Sequence, residues 1–167
     1  MTAQADALRV LEETSRTFFL PIVRLPKGLQ EAVASAYLCL RAIDEVEDHP
    51  TLERSIKAKV LQGMGLLLQS QTSVENFSLD SFTEFFASFD VDLPEVTTRV
   101  GEWACYAPKF IAPRIWEATA GMADRMAHWA MTSFRVDDKS DLDRYTYGVA
   151  GAVGLMLCDI WGWFEKV

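Results

Sequence analysis

Tyr37, Arg41, Asp44 and Asp48 follow one another at spacings of four, three and four, so a phenol, a guanidinium and two carboxylates share one stripe of a helix. With Glu45 and Glu47, the two aspartates crowd four acids into the stretch just before Pro50. That is the unfavourable end of a helix, because its free carbonyls carry partial negative charge. Asp44 and Asp48 also repel each other as an i,i+4 pair. Val33, Ala34, Ala36, Leu38, Leu40 and Ile43 make the same segment apolar, so the stripe reads as facing an interior rather than bulk water. The arrangement calls for a compensating positive charge. Mg2+, a hard cation that takes oxygen ligands and keeps several waters, suits it best. Glu45 and Glu47 fall off the stripe and read as solvated, and His49, beside a helix-ending proline, reads as a surface residue.

Two other segments stand out. In Tyr145–Leu157, Gly148, Gly151 and Gly154 recur every three residues, and each costs about 1 kcal/mol relative to alanine inside a helix. They serve either close helix packing or room beside the helix for an apolar ligand, with Tyr145 and Val149 bordering that room. Ser15-Arg16-Thr17-Phe18 sets hydroxyls and an arginine at a helix break, a combination that suits a phosphate group but equally a surface loop.

The elements that must position these groups are all helical, and the natural architecture is an all-α bundle. Helices are expected over 4–14, from Pro26 as first helical residue to His49, and from a Thr51 cap to Gln71. Further helices are expected over 79–89, 92–106 and 113–134, and from 141 to the end behind a Ser140/Asp143 capping box. With 167 residues, half of them apolar, the chain reads as a single helical domain over 1–167. Lys and Arg number 16 against 24 Asp and Glu, a net charge of −8, which argues against nucleic-acid binding and against electrostatic docking on anionic membranes. Cys39, Cys105 and Cys158 lack metal-ligand spacing and read as free buried thiols in a reducing compartment. No secretory signal is visible and no run of 18 apolar residues appears, so a cytoplasmic location without a membrane span is expected.

Taken in order, Ser15-Arg16-Thr17-Phe18, Leu25-Pro26, Tyr37-x3-Arg41-x2-Asp44-x3-Asp48, Gly121-Met122 and Tyr145-x3-Val149-Ala150-Gly151-x2-Gly154 resemble the squalene/phytoene synthases, the head-to-head prenyl transferases of isoprenoid and carotenoid biosynthesis. The resemblance spans residues 14–157 and implies an all-helical isoprenoid-synthase bundle around an internal cavity. It implies condensation of two farnesyl or geranylgeranyl diphosphates through a cyclopropyl intermediate. By the same resemblance Asp44 and Asp48 bind diphosphate through Mg2+, Ser15, Arg16, Tyr37 and Arg41 hold the diphosphate, and Phe18, Val149 and Leu157 line the prenyl channel. Tyr145 then sits beside the reacting carbons. NADPH use is not indicated.

The family's second aspartate-rich motif has no counterpart here. Asp159 stands alone, and Asp137-Asp138 precede Tyr145 in a turn. The chain therefore reads as an N-terminal portion of such a synthase. Two other readings stay open: a non-catalytic relative acting in interaction or assembly, and a prenyl diphosphate hydrolase. Peripheral membrane association, a homo-oligomer and a completing chain stay open as well. Trp161, Trp163 and Phe164 near the end favour association or poor solubility if exposed.

Overall fold

A computed structural model describes residues 2–15 and 17–166. Among them every regular element is helical: α1 (Ala3–Thr14), α2 (Phe19–Val23), α3 (Leu29–Glu47), α4 (Arg54–Ser70), α5 (Leu79–Ala87), α6 (Glu95–Thr98), α7 (Val100–Tyr106), α8 (Ala112–Met131), α9 (Lys139–Thr146), a π-helical turn (Tyr147–Gly151) and α10 (Ala152–Phe164). The bundle is built around α3, which touches α1, α2, α4, α6, α7, α8 and α10. Its apolar residues fall on nearly every side, and Leu38, Cys39, Ala42, Ile43 and Val46 are fully buried. The broadest helix pair is α4 against α8.

Buried hydroxyls tie the layers to α3. Ser35 donates to the carbonyl of Trp103 at 2.7 Å, and Thr97 donates to that of Ala42 at 3.1 Å. Each bond gives a fully buried hydroxyl an acceptor in the core. The indoles of Trp103 and Trp116 donate to the carbonyls of Val96 and Ala104, both at 2.9 Å.

The helix limits differ from the sequence expectation at points where local chemistry overrides periodicity. α3 begins at Leu29, not Pro26, because Gly28 at φ 88° reverses the chain and Glu31 accepts its N–H in a capping arrangement. α4 begins after Glu53 rather than at a Thr51 cap. The helix expected over 92–106 breaks at Arg99 into α6 and α7. α8 stops at Met131, where Ser133 and Phe134 take left-handed backbone (φ 64° and 53°) and the Phe134 N–H reaches back to the carbonyl of Trp129 at 2.9 Å. Asp138, rather than Ser140, caps α9 through the N–H of Asp141 at 2.8 Å. Cys39 is buried as expected and Cys105 half-buried, but Cys158 is exposed.

The last helix departs most. The chain from Lys139 to Phe164 is one continuous helix, long and apolar enough by length and composition to cross a membrane, although no run of 18 wholly apolar residues occurs in it. It carries the π turn at Tyr147–Gly151. Gly148 alone of its glycines packs inward, against Arg125, while Gly151 and Gly154 face outward. Neither use expected for the glycine run, close packing or space beside a ligand, describes all three.

Candidate functional site

One face of α3 presents Val33, Ala36, Tyr37, Leu40, Arg41 and Asp44 to a cleft of about 530 Å3. The opposite wall is Val149 from the π turn with Val153, Met156, Leu157 and Trp161 from α10. Phe18, Pro21, Ile22 and Leu25, in and beside α2, close one side, and Met122 of α8 forms the floor. The cleft is thus apolar along most of its length and polar where Tyr37, Arg41 and Asp44 enter it. The four-residue and three-residue steps that set the stripe on α3 are echoed on α10 by the four-residue steps 149, 153, 157 and 161.

Of the residues singled out in the sequence, Tyr37, Arg41, Asp44, Phe18, Val149 and Leu157 are brought together here. The Tyr37 hydroxyl donates to the carbonyl of Thr14 at 3.1 Å, which fixes the ring and leaves the oxygen lone pairs free to accept. The Phe18 ring lies 5.9 Å from that of Tyr37. Ser15 is buried, and its hydroxyl accepts from the N–H of Phe18 at 3.0 Å, so it shapes the turn into α2 while keeping its own proton to donate. Arg16 lies outside the described residues. Arg41 pairs with Glu45, one helical turn on, and its Nε is buried without a partner among the described residues. Glu45 is therefore half-buried and engaged rather than freely solvated.

The acidic end of α3 is where charge goes uncompensated. Burial pushes the Asp44 carboxyl up to about 6; Arg41 pulls it back down, while Asp48 and Glu45 push it further up. Glu47, read from the sequence as solvated, is half-buried instead. Burial first, then the neighbouring Asp48 and Asp44 carboxylates, raise it to about 7, and the Lys57 ammonium, which donates to the Glu47 backbone carbonyl, pulls it back only in part. Asp48 caps the helix and is exposed. Tyr145 does not line the cleft. It stands edge-on to Trp129, ring centroids 5.5 Å apart, and its phenol is held protonated by burial and by Glu47, Asp48 and Asp44. A stripe drawn through Asp44 and Asp48 leaves Glu47 to one side, although it stands only three residues from Asp44. The clue that was present is that four acids within five residues cannot all face away from a buried helix.

Among the described residues no three of His, Cys, Asp and Glu are gathered into a metal cage. The donor set still fits Mg2+, which is commonly bound through one or two carboxylates, with waters and phosphate oxygens completing its shell. Two half-buried carboxyls raised well above their ordinary values are the local sign that a cation is wanted there.

A second, larger groove of about 920 Å3 runs between α8 and α9, past Gln62, Arg125, His128 and Tyr147. Its outer arginines, Arg135 and Arg144, are neutralised by Asp137 and Asp141 at 2.6 Å. It gathers none of the residues singled out above, and the smaller cleft is the candidate site.

The squalene/phytoene synthase family model matches residues 11–166. The chain belongs to the squalene/phytoene synthase family. The squalene synthase of Eremothecium gossypii is 32% identical over 149 residues, covering 87% of this chain and 33% of that protein. The squalene synthase of Schizosaccharomyces pombe is 30% identical over 156 residues, covering 89% and 32%. The chain thus spans about a third of the length of these curated relatives. A solved structure described as "The complex structure of TcSQS with ligand, BPH1237" superposes with a TM-score of 0.72 at 24% identity, covering 98% of this chain and 45% of that one. That likeness establishes the all-α isoprenoid-synthase fold. The family match covers the acidic end of α3, the cleft and the π turn alike.

Proposed function

We propose that the cleft binds a prenyl diphosphate, its diphosphate at the acidic end of α3 and its hydrocarbon against α10, and that the chain takes part in Mg2+-dependent, head-to-head prenyl transfer. The observation that carries this reading is one cleft with two chemistries: Tyr37, Arg41 and Asp44 at one end, and apolar wall elsewhere. An amphiphile with an anionic head and an isoprenoid tail matches both.

The chemistry begins with loss of diphosphate. The C1–O bond breaks, both electrons leave with the diphosphate, and an allylic cation remains. The double bond of a second prenyl diphosphate then attacks that carbon, and loss of a proton closes the cyclopropane. Mg2+ held by Asp44 and Asp48, with Glu47 beside them, would neutralise the departing diphosphate. Arg41 and Arg16 add positive charge, and the Ser15 hydroxyl, which keeps its proton, orients the group, while Tyr37, whose proton goes to the Thr14 carbonyl, can accept from a water of the metal's shell. Phe18, Val149, Leu157 and Trp161 keep water from the cation, and the aromatic faces among them stabilise it. The Tyr145 phenol, kept protonated, stands beside the acidic end as a hydrogen-bond donor.

Calorimetry with farnesyl thiolodiphosphate, which resists ionisation, tests the binding. Saturable binding that needs Mg2+ is the expected result, and equal binding in EDTA overturns the metal's role. Incubation with labelled farnesyl and geranylgeranyl diphosphates then reads the chemistry. A squalene- or phytoene-sized hydrocarbon, or its cyclopropyl diphosphate precursor, supports transfer. Prenyl alcohol as the main product supports a hydrolase, and binding without turnover supports a non-catalytic member.

A further inference from the structure

Helix α3 ends on the residues that its site needs. Asp44 lies in the last turn and Asp48 caps it. The last carbonyls of a helix have no partner within it, and carboxylates beside them add to the negative end of its dipole. Pro50 follows and keeps His49 out of regular helix, so the helix cannot run on to support Asp48. An end built this way is prone to fray.

What holds it comes from another helix. Lys57, in the first turn of α4, reaches back and donates to the carbonyl of Glu47. That carbonyl and the N–H of Asp48 belong to one planar peptide unit. The N–H donates in turn to the carbonyl of Asp44 at 2.7 Å. The unit is thus pinned at both its oxygen and its nitrogen, and the Cα of Asp48 leaves it in a fixed direction.

Lys57 forms no ion pair among the described residues, although Asp44, Glu47 and Asp48 all surround the end of α3. A counter-ion would sit on a carboxylate. This ammonium sits on the backbone, where it satisfies an orphan carbonyl and offsets the dipole. The carboxylate oxygens are left for another cation. Lys59, two positions further on, is exposed and is not bonded to α3.

We propose that Lys57 is a positioning residue for the metal: by pinning the Glu47–Asp48 peptide it aims the Asp48 carboxylate alongside that of Asp44 before Mg2+ and diphosphate arrive. The proposal rests on the reading of Asp44 and Asp48 as the carboxylates that hold Mg2+. A pair arranged in advance spares the ordering cost that binding would otherwise carry.

Charge and position predict opposite signs, which makes the proposal testable. Lys57 is a positive charge beside a cation site, so its removal strengthens Mg2+ binding if charge alone matters. Its removal weakens binding if Lys57 aims Asp48. Lys57→Met keeps the apolar stem and loses the ammonium. Calorimetry with farnesyl thiolodiphosphate should then need at least ten times more Mg2+ for half-saturation, with the circular dichroism unchanged. Lys57→Arg should restore most of the loss, because a guanidinium can donate to the same carbonyl. Lys59→Met removes an equal charge from the same helix without touching the bond, and should not raise the Mg2+ requirement. Hydrogen exchange at the Asp48 and His49 amides reads the pinning with no ligand present. It should quicken at least tenfold in Lys57→Met and in neither of the other variants.

A Mg2+ requirement that is unchanged or lower in Lys57→Met overturns the proposal and leaves the metal reading intact. So does a Lys57→Arg variant no better than Lys57→Met, or exchange at Asp48 that ignores the substitution. Binding by the unaltered chain that is absent, or equal in EDTA, is a different failure: it removes the metal reading first, and this proposal with it.

Discussion

Asp6, Glu95 and Glu102 surround Arg99, and Asp6, Glu13 and Glu95 surround Arg9, so that where α1, α6 and α7 meet each of these carboxylates has a guanidinium. At the far end of α3, Asp44 and Glu47 have no such partner among the described residues, and Arg41 is given to Glu45. The titration of the two clusters follows. Hydrogen bonds from Arg99 and Arg9 hold Asp6 below the ordinary carboxylate range, and those from Arg9 and Arg99 do the same to Glu95. Burial drives Asp44 to about 6 and Glu47 to about 7. The first cluster is complete within the chain and holds helices together. The second carries a standing cost, and a protein keeps such a cost where a ligand relieves it.

The contrast can be broken by single substitutions, and the largest effect falls on binding. Asp48→Asn is expected to abolish Mg2+-dependent binding of farnesyl thiolodiphosphate while the helical circular dichroism stays unchanged. Undiminished calorimetric binding in this variant would remove Asp48 from the site.

Asp44→Asn comes next. It removes a half-buried charge that lacks a cation, so in EDTA at pH 7 it should raise stability to urea, on the order of 1–2 kcal/mol once partial exposure is allowed for. A loss of stability would mean that Asp44 is already compensated in the free chain.

The pH dependence sharpens the comparison further. For Asp44 and Glu47 the folded values lie above the unfolded ones, so the folded chain binds more protons. Their cost is full above about pH 7 and is relieved as pH falls towards 4. For Asp6 and Glu95 the folded values are depressed, so their contribution is present above the unfolded carboxylate range and is lost as pH falls below it. Without divalent cations, stability should therefore peak near pH 4 to 5 and decline on both sides. Asp44→Asn should flatten the alkaline limb, and Arg99→Met the acid limb. A maximum at pH 7 or above would contradict the contrast.

The smallest effect is Arg99→Met at pH 7. Its partners Glu95 and Glu102 are exposed, and Asp6, which is part-buried, keeps its second guanidinium in Arg9, so each lost pair contributes about 1 kcal/mol or less. A much larger loss in urea would show the network to be a core element.

The reach of the sequence can be judged on these same residues. The Tyr37, Arg41, Asp44 stripe was legible because α3 is long and regular, so spacing translates directly into a shared face. Glu47 was not, since its burial comes from the packing of other elements around the end of α3, and helical periodicity knows nothing of neighbours. Arg41 was read with the aspartates, but Glu45 is one turn away on the same helix and takes it. Gly28 and Arg99 moved helix limits through a positive φ and through ion pairs reaching across some ninety positions, neither of which leaves a periodic trace. Periodicity also assumes 3.6 residues per turn, which fails in the π turn.

That turn has a consequence for how such a cleft changes over generations. A π turn accommodates one residue more than the α-helix it interrupts, so loss of a single codon within 147–151 would let the helix close up. Because the wide turn already absorbs the extra residue, everything after it would keep nearly the facing it has now. Val153, Leu157 and Trp161 would stay on the cleft wall, and only the bulged turn around Val149 would be redrawn. The same deletion further on, in regular α-helix, would instead swing all that follows by about 100° and exchange the rest of the wall at once.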